Sequence, residues 1–144
     1  MEEKYQLVYR QVEAIVSKES DPIANMANVA ALLHESFGWW WTGFYRVDGG
    51  TLVLGPFQGP VACTRIPFGR GVCGTAWERR ETIVVPDVEQ FPGHIACSAL
   101  SRSEIVVPVF KDGEVVGVLD IDSKELSAFD RRDAFWLEKI VALL

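Results

Sequence analysis

No apolar run in the sequence approaches the ~18 residues that a membrane-spanning helix needs. The opening segment, MEEKYQLVYR, lacks the apolar stretch of a secretion signal. Together these absences predict a cytoplasmic protein. Positive charge is also scarce. Fourteen Lys and Arg stand against twenty Asp and Glu, for a net charge of −6. The basic pairs Arg79-Arg80 and Arg131-Arg132 are isolated, so no basic stripe exists to hold phosphates, and a nucleic-acid partner is not expected. Cysteine is sparse and odd in number: Cys63, Cys73 and Cys97. Three thiols in a reducing compartment do not make a structural disulfide framework. No two of them have the close C-x-x-C spacing of common zinc sites, so no metal is expected. Nothing in the sequence points to a nucleotide or flavin. The thiols are therefore either small buried apolar groups or redox chemistry.

What is present suits one domain spanning residues 1–144. Hydrophobic residues make up 49% of the chain and charged residues 24%, and a chain this long buries a core without staples. Glu3 to Lys18 has the spacing of an amphipathic helix, with Tyr5, Val8, Val12 and Ile15 on one face. Asp21-Pro22 is a helix start, and Ile23, Met26, Ala30, Leu33 and Phe37 then recur at three and four residues. At Gly38 the pattern changes. "WWWTGFYRV" and "TLVLGPF" flank Asp48-Gly49-Gly50 as a hairpin, and "TRIPF" is a short extended piece. "GRGVCGTAWERR" is a glycine-rich turn entering a short helix, and "TIVVP" is a strand. Val88 to Ser103 is a long connection of the kind that often carries function. "EIVVPVF", Lys111-Asp112-Gly113 and "EVVGVLDID" form the clearest hairpin. Asp130 to Leu144 closes the chain as a helix, with Phe135, Ile140, Leu143 and Leu144 among its apolar positions. The order α-α-β-β-β-α-β-loop-β-β-α predicts an α+β fold, a single mainly antiparallel sheet flanked by helices. The aromatic strand and the long connection should meet over one face of it and form a pocket.

The candidate chemistry gathers at that pocket. Asp120 and Asp122 are two apart in a strand and share a face. They mark either a strand end running into solvent or, with Glu104 at the start of the partner strand, an acid cluster near a sheet edge. Crowded acids raise one another's pKa, so one of them can stay protonated and donate. A free thiol is only about 3% thiolate at pH 7, and a useful nucleophile needs more help than that. His94 stands three residues before Cys97. Cys73 sits where a helix begins, a position that lowers thiol pKa values. Cys63 follows a glycine-proline turn, on what is expected to be a mobile loop. Burial remains the alternative for each cysteine taken alone. Of Trp39, Trp40 and Trp41, at most two can line a pocket with Tyr45.

The stretch from Trp41 to Asp130, above all "ACTRIPFGRGVCGTA", "FPGHIAC", "SEIVVPVF" and "GVLDIDS", resembles the free methionine-(R)-sulfoxide reductases of the GAF fold. This resemblance implies a thiol reductase acting on a free amino acid. The match to "GHIAC" makes Cys97 the nucleophile that attacks the sulfoxide and is left as a sulfenic acid. The match to "ACTRIPFG" makes Cys63 its disulfide partner, and "GRGVCGTA" gives Cys73 an auxiliary place. It further implies that Glu104, Asp120 and Asp122 bind substrate, with Glu104 and Asp122 assisting protonation. Trp41 and Tyr45 complete the pocket. Thioredoxin is implied as the external reductant, and a homodimer as the assembly. Generic GAF sensor domains share "SEIVVPVF" and "GVLDIDS", so a non-catalytic small-ligand sensor is the competing expectation.

Overall fold

In the computed structural model, residues 1–95 and 100–144 are described. The predicted nucleophile, Cys97, lies outside them. The described residues form four helices, α1 (Glu2–Val16), α2 (Pro22–Phe37), α3 (Gly71–Arg79) and α4 (Arg131–Val141). Six strands accompany them: β1 (Trp41–Asp48), β2 (Thr51–Gln58), β3 (Arg65–Pro67), β4 (Ile83–Val85), β5 (Ser103–Lys111) and β6 (Glu114–Ser123). The strands form one sheet in the order β3-β2-β1-β6-β5-β4. Every pairing is antiparallel. The expected α+β class, with a single antiparallel sheet between helices, is what the chain adopts.

Local chemistry explains the boundaries. Asp21 caps α2 by accepting from the backbone N–H of Ile23 at 2.9 Å and of Ala24 at 3.0 Å, and Pro22 occupies the first turn. Gly38 ends that helix in the left-handed conformation, which costs glycine least. Asp112 and Gly113 both have positive φ, 52° and 81°, as the two-residue turn between β5 and β6 requires. Asp130 and Asp133 cap α4 reciprocally, each side chain accepting from the other's backbone N–H.

The sheet separates two cores. On one side Phe44, Ile105, Val107, Leu119 and Ile121 pack against α1, α2 and α4. The Tyr5 hydroxyl donates to Asp133 and ties α1 to α4. On the other side Trp41, Tyr45, Val106 and Val118 meet α3 through Val72, Cys73 and Ala76. One helix-face expectation, Ile23, needs correction, and Phe135, an apolar position of α4, stands off that helix's buried face. Ile23 is 44% exposed and Phe135 is 54% exposed. The buried face of α2 begins at Asn25 and Met26, and that of α4 runs through Trp136, Leu137 and Ile140. Phe135 lies edge-on to Trp136 and beneath the Lys139 ammonium. In the connection from Val88 to Ser103, Val88–Gln90 is a 3-10 turn capped by Asp87.

Candidate active site

Strand alternation and register build the site on the α3 side of the sheet. Trp41, Gly43 and Tyr45 of β1 face the same way and stand opposite Asp122, Asp120 and Val118 of β6. Glu104 and Val106 of β5 stand opposite Asp122 and Asp120 from the other side. The three acids thus sit on adjacent inner strands, not at the sheet edge expected from sequence. The two inner neighbours deny Asp120 the solvent that a strand end would offer. Gly43 is required here: a Cβ on it would collide with the Trp41 ring and with Phe57. Its absence lets the indole lie along the strand beside the acids.

Trp41, Tyr45, Glu104, Asp120 and Asp122 line a cleft of about 580 Å³, including its open mouth. Its wall is completed by Trp40, Ile66, Val72, Cys73, His94, Ile95 and Ser101. The long connection and the aromatic strand do meet over one face, as the pattern predicts. Trp39 turns to the opposite core, stacking on Phe37 with ring centroids 4.4 Å apart.

Glu104 and Asp120 are each 6% exposed, and Asp122 is half-buried. Burial and the neighbouring Asp120 push the Glu104 carboxyl well above the usual carboxylate range. The same two causes raise Asp122, against the opposing hydrogen bond from Ser101, whose hydroxyl donates to Asp122 Oδ1 at 2.9 Å. Asp120 is raised by burial, while hydrogen bonding from Glu104, Cys73 and Asp122 opposes the rise. All three carboxyls are thus held above the usual carboxylate range, and the opposing hydrogen bonds make Asp120 the one whose charged form is best supported. One oxygen of Asp120, Oδ1, is buried with no hydrogen-bond partner among the described residues.

The thiols divide. Cys73 is a free, buried thiol in the first turn of α3. Its helix position predicts a lowered pKa, but burial and the facing acids push it well up instead. Desolvation and three carboxyls outweigh one helix terminus. Cys73, Glu104 and Asp120 each place one donor atom within 4.8 Å of the others. Cys63 is disulfide-bonded. Its loop is tied down rather than loose. The Trp41 indole N–H donates to the carbonyl of Pro60 at 2.9 Å, and the Tyr45 hydroxyl donates to that of Cys63 at 2.8 Å. His94 Nε2 is 4.0 Å from Glu104 Oε1. Burial lowers the imidazole pKa, so it is neutral at pH 7. The structure thus gathers Trp41, Tyr45, Cys73, Glu104, Asp120 and Asp122 around one cleft, with Cys63 held against its wall by the Tyr45 hydroxyl. Ser101, which holds Asp122, had no signal in the sequence, because its role depends on where β6 ends in space.

A family model described as GAF domain matches residues 24–144. GAF domain-containing protein A of Dictyostelium discoideum is 56% identical over 99% of this chain and 91% of its own length. The free methionine-R-sulfoxide reductase of Escherichia coli is 47% identical over 99% of this chain and 87% of its own. The crystal structure of the Neisseria meningitidis free methionine-R-sulfoxide reductase, in complex with its substrate, superposes with a TM-score of 0.95 at 58% identity. That match covers 96% of this chain and 84% of the other. Among the described residues no helix is long and apolar enough to cross a membrane. With identity this high along nearly its whole length, the chain belongs to the family of free methionine-R-sulfoxide reductases built on the GAF domain.

Proposed function

We propose that this protein reduces free L-methionine-(R)-sulfoxide to L-methionine by thiol chemistry, with thioredoxin as the reductant. The observation that carries the reading is the acid cluster. Three carboxyls held above their usual range, with the charged form best supported on Asp120, lie beside an indole and a phenol in a chain of this family. Asp120 pairs with the α-ammonium of the substrate, and the Trp41 ring packs against its methyl-sulfur end. A peptide-bound residue would bring no ammonium, leaving the buried Asp120 charge unpaired, which is costly.

Cys97 attacks the sulfoxide sulfur. Glu104, assisted by Asp122, protonates the oxygen; the substrate S–O bond breaks as the oxygen bonds to the cysteine sulfur, leaving a sulfenic acid and releasing methionine. The substrate sulfur gains two electrons and the cysteine sulfur loses two. The Cys63 thiol then attacks the sulfenic acid, forming the Cys63–Cys97 disulfide and releasing water. A thioredoxin dithiol reduces that disulfide by exchange. The disulfide-bonded state of Cys63, beside a free Cys73, supports giving Cys63 the resolving role.

The test is a coupled assay of NADPH oxidation with thioredoxin, its reductase and the separated R and S epimers of free methionine sulfoxide. R-selective turnover, lost in Cys97→Ser, is the expected result. Cys63→Ser should keep a single-turnover burst and lose efficient recycling. Saturable binding of an amino acid with no consumption of NADPH would instead establish a ligand sensor.

A further inference from the structure

The cleft holds a feature that reduction of a sulfoxide does not call for: a set of donors matched to a metal ion. Cys73 Sγ and one oxygen each of Glu104 and Asp120 all lie within 4.8 Å of one another. Each comes from a different element, α3, β5 and β6. All three residues are buried. A point central to three atoms so spaced lies no more than about 2.8 Å from any of them, against Zn–S and Zn–O bonds of about 2.3 and 2.0–2.2 Å. Small side-chain rotations close that difference.

Independently, Asp120 is 94% buried by its 6% exposure, and its Oδ1 has no hydrogen-bond partner among the described residues. Buried carboxylate oxygens are rarely left so, because an unmet acceptor forfeits its solvation. Asp120 also lines the cleft together with Cys73 and Glu104. His94 Nε2, 4.0 Å from Glu104 Oε1, adds an imidazole at the margin, and the cleft leaves an open side for a further ligand.

We propose that Cys73, Glu104 and Asp120 form a binding site for a thiophilic divalent cation of the zinc class. The donor set selects the ion. Calcium and magnesium take oxygen ligands in larger shells, whereas one thiolate with two carboxylates suits Zn²⁺ or Co²⁺ in a four-coordinate site with one exchangeable position. On the reductase reading of the same cleft, the ion occupies the place of the substrate ammonium, so metal and substrate exclude each other. The binding claim itself does not rest on that reading.

The experiment is a Co²⁺ titration of the Cys63→Ser/Cys97→Ser protein, in which Cys73 is the sole cysteine. The expected result is a thiolate-to-cobalt charge-transfer band in the near ultraviolet, saturating at one ion per chain and bleached by Zn²⁺. Adding Cys73→Ser removes the band. Asp120→Asn and Glu104→Gln, each in the sole-cysteine background, weaken Co²⁺ binding tenfold or more. Two variants guard against loss of fold in one, and circular dichroism checks both. Absence of the band at millimolar Co²⁺, or a band that both carboxyl variants leave unchanged, overturns the site. No sulfoxide enters this titration. A negative result therefore leaves the reductase reading standing, and an inactive protein that binds Co²⁺ leaves the site standing.

Discussion

Tyr45 joins the substrate side of the cleft to its thiol side. Its ring is buried in the cleft wall, and its hydroxyl donates to the carbonyl of Cys63. Tyr45→Phe keeps the ring and releases the loop. The expected outcome is a substrate KM close to that of the parent and a disulfide-forming step slowed about five- to tenfold, the worth of one hydrogen bond. Rapid-quench counting of free thiols after one turnover separates the two. The acids divide in a different way. Burial beside Asp120 pushes the Glu104 carboxyl well above the usual carboxylate range, which favours its protonated form. Glu104→Gln should therefore lower kcat by ~10²- to 10⁴-fold, the usual worth of a positioned acid. Asp120→Asn should act mainly through KM, because it removes the charge that meets the ammonium. Steady-state kinetics of the two variants reads this split, and equal effects on both parameters in both variants would refute it.

At the scale of elements, one carboxyl group both caps α4 and ties it to α1. Asp133 Oδ2 accepts from the backbone of Asp130 at 2.9 Å while Oδ1 accepts the Tyr5 hydroxyl. Tyr5→Phe leaves that buried oxygen unmet and should cost ~1–3 kcal/mol in urea unfolding. Asp130→Ala removes only the cap and should cost about 1 kcal/mol. Neither residue touches the cleft, so kcat should be unchanged in both at temperatures below unfolding. These caps, like the β5–β6 hairpin, were legible because they are local: Asp130 lies three residues from its partner, and Asp112-Gly113 lies between two alternating runs. The shared face of Asp120 and Asp122 was legible for the same reason, strand alternation. Their burial was not. It follows from β1 pairing with β6 across more than seventy residues, as in Trp41 opposite Asp122, and no local spacing encodes that contact. The grouping of Cys73 with Glu104 and Asp120 was hidden likewise. Metal-type spacing rules look for donors close in sequence, and these three come from separate elements.

For the whole molecule, one sheet serves two purposes with its two faces. Among the described residues, the face toward α1, α2 and α4 is largely apolar and carries no buried acid of the sheet, while the face toward α3 carries acids that burial penalises. The cost of the second face has a predictable pH dependence. In the unfolded chain Glu104 ionises near its ordinary value of 4.5, whereas the folded protein holds that proton to well above it. Between the two values the folded state binds more protons than the unfolded one, so stability falls as pH rises from about 4.5 and stops falling only above the folded pKa. Glu104→Gln removes this contribution. The variant's stability relative to the parent should therefore improve with pH, by up to ~1.4 kcal/mol per pH unit, the limit for one proton. Paired urea unfolding curves in reducing buffer at about pH 5 and about pH 8 measure it. A difference between variant and parent that is the same at both pH values would mean that Glu104 ionises as freely in the fold as in the open chain. The acid assigned to protonate the sulfoxide would then already have lost its proton at neutral pH.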